Sequence, residues 1–260
     1  MSRTSPPDRP HLDVQKVGVK GIEYPITLLD KARGTQSTVA RADISVRLSH
    51  PLDTARESRM VEILNKHRLE VSITNLPGLL RELVETFDAE SAHVDFSFPY
   101  FFNEKSAGQR GGRRDGVRLP HLRRREARRS IWVSKCGCQS RFCIPIPKTT
   151  GVPARATSGR WSPAAVRFRK IVWIEELIGL IEKAASSPLY SLLKRSDERH
   201  VTLQAYENPR SQEDVVRAVA EQLARDENIL WFAVQSESLE SLHNHNNYAL
   251  IEWARPAGTP

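Results

Sequence analysis

Three side chains that could move protons lie within six residues near the end of the chain. They are Glu240, His243 and His245. Imidazoles titrate near neutrality, and carboxylates accept protons or bind metals, so the cluster suits hydrolytic proton transfer. His243 and His245 would share one face of a β-strand because they are two residues apart. The alternative is a polar turn with incidental histidines, and the spacing alone leaves both interpretations open.

Apolar periodicity predicts the elements that would position this cluster. Strands are predicted where apolar residues alternate or run together, at 36–48, 92–98, 229–234 and 248–253. Helices are predicted where they recur at helical spacing, at 79–87, 173–185 and 215–223. Ser211 should cap the last helix, with Asp214 completing a capping box. This order predicts an α+β fold of two related strand–helix–helix–strand modules, with antiparallel sheets backed by helices.

Composition and charge limit the functional classes. No apolar run approaches the ~20 residues that span a bilayer, and residues 1–12 are predicted to form a disordered tail rather than a signal peptide. An odd count of three cysteines without an export signal predicts reduced thiols in a cytoplasm. The net charge of +8 on its own would favour a polyanionic partner.

That positive charge is concentrated in one segment. Residues 108–170 carry 14 Arg and 3 Lys against two acidic residues, a balance of +15, so the rest of the chain carries −7. The same segment contains all three cysteines, Cys136, Cys138 and Cys143. A segment so different from both flanks needs an explanation of its own.

Short peptides on both sides of this segment, within roughly residues 13–106 and 165–253, carry a specific pattern. They are 17–26 (VGVKGIEYPI), 58–64 (SRMVEIL), 96–101 (FSFPYF), 173–178 (WIEELI), 189–195 (LYSLLKR), 205–209 (AYENP) and the ending at Glu240, His243 and His245. Together these peptides resemble one known family, the prokaryotic type IB GTP cyclohydrolases.

The resemblance implies a tunnelling fold of two tandem modules that assembles into a ring-like homotetramer. It implies hydrolysis of GTP to 7,8-dihydroneopterin triphosphate and formate, the first step of tetrahydrofolate biosynthesis. It also implies a divalent metal, Zn, Mn or Fe, held by Cys, His and Glu ligands. A bound metal lowers the pKa of water toward neutrality, so that hydroxide can attack guanine C8.

The resemblance also implies roles for individual residues. Glu198 matches the metal-ligand glutamate, whereas on its own it would be read as a solvated loop carboxylate. Glu213 matches the glutamate that anchors the purine, although helix-dipole complementarity would also explain it. Glu240, His243 and His245 match the active-site carboxylate and the proton-transfer histidines.

The middle of the chain departs from the family. No histidine lies between His121 and His200, so the metal-ligand histidine has no counterpart, and Cys136 lies about eight residues too early for the family's Cys-Pro-Cys segment. Shifting the reading frame permits family-like peptides near both ends of the segment. These are Pro-Val-Ser-Gly-Val near residue 108 and Asn-Gln-Arg-Ser near residue 157. We therefore predict four regions: a tail at 1–12, modules at 13–106 and 165–255, and an aberrant basic segment at 107–164 that arises from a frame error and packs poorly.

Other interpretations of the middle segment stay open. Arg123 to Arg125 with Arg128 and Arg129 could grip nucleic-acid phosphates, which makes a nucleic-acid-binding protein using residues 110–129 the alternative function. The segment lacks interleaved aromatic residues, so a nucleic-acid partner is disfavoured. A zinc site from Cys136, Cys138 and Cys143 has three thiols, no standard spacing and no local histidine as a fourth ligand.

Overall fold

The computed structural model describes residues 16–48, 56–67, 76–104, 114–118, 121–127, 129–144, 155–188, 194–239 and 244–256. The strands are β1 (Val17–Asp30), β2 (Gly34–Arg47), β3 (Ser91–Ser97), β4 (Tyr100–Glu104), β5 (Arg114–Arg118), β6 (His121–Ala127), β7 (Arg129–Ile144), β8 (Arg155–Phe168), β9 (Ser187–Pro188), β10 (Ile229–Leu239) and β11 (Asn246–Ala254). The helices are α1 (Arg56–Lys66), α2 (Leu76–Thr86), α3 (Ile174–Ala184), α4 (Arg195–Glu207) and α5 (Gln212–Arg225).

One large antiparallel sheet runs through both halves of the described chain. Its order is β1-β2-β3-β6-β7-β8-β10-β11, with β9 paired to β7, while β4 and β5 form a separate pair. Alternate residues of the strands and the apolar faces of α2, α3 and α5 meet in one hydrophobic cluster that includes Ile44, Leu80, Val166, Val219 and Phe232. The predicted α+β fold, with antiparallel strands backed by helices, is confirmed. In the described part, no helix is long and apolar enough to cross a membrane.

Most predicted elements agree with the structure, and the exceptions have physical reasons. The predicted strands and helices with an alternating or helical apolar pattern form β2, β3, β10, β11, α2, α3 and α5. Helix α4 was not predicted because, among its described side chains, only Val201 and Ala205 are buried, and they are one turn apart. Strand β10 continues to Leu239, past the predicted end at 234. The prediction ended too early because the inward positions after Val234 are serines, which interrupt the apolar pattern.

The basic middle segment also forms strands. The backbone of β5, β6, β7 and most of β8 lies within residues 107–164, and β8 continues across the predicted boundary at 164. The side chains of residues 102–161 lie outside the described part, so the prediction that this segment packs poorly concerns residues that are not described. The division into modules and a frame-error segment stays a prediction.

A bulge interrupts the edge strand β1. The register between β1 and β2 shifts between Val19 and Ile22, where Gly21 has a φ of +76°. Its backbone N–H donates to the Asp43 carboxylate at 2.8 Å. A glycine is needed here because an L side chain at this φ would be strained.

A polar junction joins the β1–β2 turn to the start of α3. The Tyr100 hydroxyl donates to Glu175 Oε1 at 2.7 Å, and the Lys31 backbone N–H donates to the same oxygen at 2.8 Å. The Lys31 ammonium also pairs with Glu176. On the turn side, the buried Asp30 carboxylate accepts the backbone N–H groups of residues 32 and 33. Residues about 145 positions apart are therefore tied by hydrogen bonds.

This junction makes the free energy of unfolding depend on pH in the alkaline range. Burial, followed by the hydrogen bond to Glu175, raises the pKa of Tyr100 well above its usual range. A raised folded-state pKa adds stability that is complete below the unfolded-state pKa near 10 and is lost as pH rises above it. We expect the free energy of unfolding to fall with a slope of about 1.4 kcal/mol per pH unit above that point.

The test is Tyr100→Phe, measured by urea denaturation at pH 7.5 and at pH 10.5. The variant should lose about 1–2 kcal/mol at neutral pH, because Glu175 loses a donor, but should be less sensitive to the alkaline shift than the wild type. Tyr248→Phe is the matched control, since Tyr248 is 54% exposed. Parallel pH dependence in the wild type and Tyr100→Phe would contradict the assignment.

Candidate functional site

The start of α5 holds the candidate purine anchor. Ser211 Oγ accepts the Asp214 backbone N–H at 3.1 Å, and the Asp214 carboxylate accepts the Ser211 backbone N–H at 2.9 Å. The predicted cap and capping box are confirmed. Glu213 lies in this first turn, is exposed, and follows Arg210 and precedes Arg217.

Electrostatics reinforce this helix start. The backbone and side-chain hydrogen bonds of Ser211 lower the pKa of Asp214, and the nearby Arg210 and Arg217 guanidinium groups lower it further. Asp214 is therefore ionised at neutral pH, where a carboxylate at a helix N-terminus stabilises the helix dipole. The backbone that carries Glu213 is fixed, while its own carboxylate is exposed and free to meet a ligand.

The other end of α5 is held by the C-terminal residues of the described chain. Arg255 donates to the backbone carbonyls of Ala224 at 3.2 Å, Asp226 at 2.9 Å and Ile229 at 3.0 Å. Its guanidinium also lies over the Trp253 ring. A cation at these carbonyls satisfies acceptors that a helix end leaves open.

The candidate metal ligand Glu198 lies elsewhere. It is exposed in α4 and not in a loop, one residue after Asp197, whose carboxylate accepts the Lys194 backbone N–H at 3.4 Å. Helix α4 has 13 residues and is therefore about 20 Å long. Glu198 is near its beginning and Glu213 follows its end, so α4 separates the two candidate residues along the chain.

The candidate proton-transfer residues belong to the connection between β10 and β11. Strand β10 pairs with β11 from Trp231–Ala254 to Leu239–Asn246. His245 is exposed at the bend immediately before β11. Glu240 and His243 lie outside the described residues. The structure therefore places one of the three residues and brings the strands on either side of the cluster together.

A group of buried hydroxyls near this connection was not predicted. Ser162, Ser236 and Ser238 are each at most 1% exposed, and the hydroxyl oxygens of Ser162 and Ser236 lie 3.3 Å apart. A sequence signal for this group was available. Ser236 and Ser238 continue the alternation of the buried Phe232 and Val234 along β10, and hydroxyls at core positions of a strand are unusual.

Sequence comparison identifies the family. A family model described as type I GTP cyclohydrolase FolE2 matches residues 3–139 and 154–249. The chain belongs to this family.

Curated relatives extend the match to nearly the whole chain. GTP cyclohydrolase FolE2 of Magnetococcus marinus is 39% identical over 253 residues, covering 94% of this chain and 92% of that protein. GTP cyclohydrolase FolE2 of Pelobacter propionicus is 40% identical over 265 residues, covering 96% of each. Among solved structures, uricase from Arthrobacter globiformis has a TM-score of 0.51 at 14% identity and covers 97% of both chains. This likeness concerns the fold alone, and it confirms the predicted tunnelling fold.

The donor set of this FolE2-family chain does not fit the metal that the resemblance implies. Within the described residues, no three His, Cys, Asp or Glu side chains are grouped to hold an ion. Glu198 is the one implied ligand whose side chain is described. Cys136 pairs with Ala164 in the β7–β8 register, and its side chain lies outside the described part. The implied histidine is missing from the sequence between His121 and His200.

The cap that supports Glu213 can be tested through Ser211→Ala. Loss of the Oγ acceptor should reduce the free energy of unfolding by about 1 kcal/mol. Thermal and urea denaturation measure this change. Ser196→Ala, in the first turn of α4, is a comparison without a predicted capping role, and equal losses in the two variants would contradict the α5 cap assignment.

Proposed function

We propose that this FolE2-family protein hydrolyses GTP to 7,8-dihydroneopterin triphosphate and formate, the first step of tetrahydrofolate biosynthesis. The observation that carries the proposal is the exposed Glu213 on the rigid, capped start of α5, in a chain that matches GTP cyclohydrolase FolE2 proteins over almost its full length. We also propose that this protein is located in the cytoplasm, as the resemblance to the prokaryotic type IB enzymes implies.

Glu213 would recognise the guanine base. A carboxylate accepts two parallel hydrogen bonds, and guanine offers the N1–H and the exocyclic amine side by side. The capping box fixes the backbone beneath Glu213, so little conformational entropy is lost when the nucleotide binds. Adenine presents no N1–H at the same edge, so this contact favours guanine.

Glu240, His243 and His245 would move the protons of ring opening. Water addition at guanine C8 releases a proton, and cleavage of the imidazole ring and departure of formate require protons on the ring nitrogens. Imidazoles that titrate near neutrality can accept and return these protons, and a nearby carboxylate can orient them. The exposed position of His245 at the start of β11 is compatible with this role.

The set of implied metal ligands is incomplete in this chain. The implied ligands are Glu198 and Cys136, and a catalytic site needs three protein ligands with an open position for water. Because the histidine is absent from the middle segment, we propose that any divalent ion, whether Zn, Mn or Fe, is held weakly. We propose that a frame error accounts for the departure of residues 107–164 from the family, although the shifted frames do not cleanly restore the histidine, and the nucleotide sequence of the gene tests this proposal.

We propose a homotetramer in which the sheet continues between copies. Strands β1 and β11 are the two ends of the described sheet order. Both ends expose apolar side chains, with Val39 at 56% beside β1 and Tyr248 and Leu250 at 54% and 48% on β11. Pairing these edges would cover exposed apolar surface and the open hydrogen-bonding groups of an edge strand.

Nucleotide recognition is tested with Glu213→Ala. Loss of a charge-assisted hydrogen-bond pair should weaken GTP binding roughly ten- to hundredfold. Isothermal titration calorimetry without added metal measures binding separately from hydrolysis. Glu221→Ala, exposed on the same helix, should bind like the wild type. Equal affinities of Glu213→Ala and the wild type would contradict the assignment.

Catalysis is tested by formate release from GTP with added Mn²⁺. We expect a rate far below that of a complete family member, for example the Magnetococcus marinus relative assayed in parallel, because this chain lacks one implied ligand. Equal rates would show that other residues of this chain replace the missing histidine.

A further inference from the structure

A cation and an aromatic ring lie together on the face of the sheet that is turned away from the helices. Val166 of β8 and Phe232 of β10 are buried in the hydrophobic cluster. Their chain neighbours Arg167 and Trp231 pair with each other in the β8–β10 register and belong to the opposite face. The guanidinium carbon of Arg167 lies 4.8 Å from the centre of the Trp231 ring, which is a cation–π contact.

A hydrogen bond fixes the ring beneath this cation. Trp231 Nε1 donates to Glu252 Oε1 of β11 at 3.0 Å. Arg167, Trp231 and Glu252, one side chain from each of three adjacent strands, are called the Arg167 platform below. The next pair of the β8–β10 register on the same face is Ala165 with Ala233, and both are partly exposed. Such small side chains cover little of the space beside the guanidinium.

The guanidinium of Arg167 lacks an acceptor within the described part of the chain. Its Nε is buried and has no hydrogen-bond partner. The Glu252 carboxylate accepts from the indole and forms no ion pair with Arg167. A buried donor without an acceptor costs roughly 1–3 kcal/mol, and more when the group is charged. Arg167 as a whole is only partly buried, which leaves the rest of its guanidinium open to a ligand that supplies the missing acceptors.

We propose that the Arg167 platform binds an oxyanion, a phosphate or carboxylate group, through the guanidinium of Arg167. Arginine presents a planar fork of N–H donors that matches two oxygens of such a group. Stacking on a ring that is itself hydrogen-bonded keeps the fork in one orientation. Little conformational freedom is therefore lost when the anion binds.

The Arg167 platform is separate from the residues that the proposed function uses. Trp231 is near the beginning of β10, whereas the β10–β11 connection follows the other end of the strand at Leu239. At about 3.3 Å per residue, these two positions are roughly 26 Å apart. Glu213 is at the start of α5, and only the far end of this helix, at Arg225, leads into β10. The inference therefore does not rest on the proposed function, and the oxyanion is a second ligand.

Equilibrium dialysis of the full chain tests the site. The probes are ³²P-labelled inorganic phosphate and, separately, ¹⁴C-labelled acetate, at an ionic strength held constant with sodium chloride. The wild type should bind one ion per chain that Arg167→Gln binds roughly tenfold more weakly, because a charge-assisted hydrogen bond is lost. Ions held elsewhere, including any at the proposed GTP site, remain in Arg167→Gln and cancel in the comparison. The probe that responds identifies the group as a phosphate or a carboxylate.

Three further variants separate the fork from its charge. Arg167→Lys keeps the charge without the planar fork and should also bind more weakly. Glu252→Gln keeps an acceptor for Trp231 Nε1 but removes a negative charge, so binding should become roughly two- to threefold tighter. Arg225→Gln is the matched control, since Arg225 is exposed in the last turn of α5 and should not affect binding.

The possible outcomes decide the inference. Equal binding of both probes by the wild type and Arg167→Gln would contradict it, and so would equal losses in Arg167→Gln and Arg225→Gln, which would indicate a general dependence on positive charge. Thermal unfolding shows whether each variant folds. If Arg167→Gln does not fold, Glu252→Gln decides, because tighter binding supports the site and unchanged or weaker binding contradicts it. A wild type that binds no GTP would contradict the proposed function and leave the dialysis result standing.

Discussion

The Glu175 carboxylate is the constraint on which the arrangement of the two halves depends. One of its oxygens accepts from the Tyr100 hydroxyl and from the Lys31 backbone, both of which belong to the first half of the chain. A hydrophobic cluster is non-directional and would tolerate sliding of α3 over the sheet. Two hydrogen bonds to one oxygen are directional, and the buried Asp30 fixes the turn from which one of them comes. The junction therefore fixes the position of α3, against which α5 packs.

The proposed recognition of guanine depends on a fixed α5 whose first turn exposes the Glu213 carboxylate. Ser211 and Asp214 fix the beginning of the helix, Arg255 fixes its end, and Val215, Val216 and Val219 bury one face. Glu213 is left on the opposite side of the first turn. The contacts that stabilise the fold would thus also fix the backbone of the proposed recognition group, so that less freedom is lost on binding.

The sequence predicted those features that depend on local patterns. Alternation located β2 and β3, helical spacing located α3 and α5, and the spacing of Ser211 and Asp214 predicted a cap that the structure confirms. Helix α4 was missed because Val201 and Ala205 are too small a stripe to show periodicity. The Tyr100–Glu175 contact was also missed, because no local pattern encodes a hydrogen bond between residues 75 positions apart.

The candidate site also contains features that were predicted from the sequence and one that was not. The cluster in the β10–β11 connection was predicted from residues that are close in sequence, whereas the role of Glu213 was predicted from the family resemblance, and both stay predictions. The grouping of Ser162 with Ser236 arises from strand pairing, so it appears only once β8 and β10 are aligned. The active-site roles of Glu240 and His243 were predicted from the resemblance and stay predictions.

The bulge at Gly21 has a consequence for how edges recognise one another. It breaks the regular spacing of backbone donors and acceptors along β1 into a short stretch before Val19 and a longer one after Ile22. An incoming strand can keep an unbroken ladder only along one of these stretches, so sliding by two residues would misalign it with the irregularity. In the proposed assembly, Gly21 and the Asp43 carboxylate that accepts its N–H would limit the alignments in which a partner strand can pair with β1.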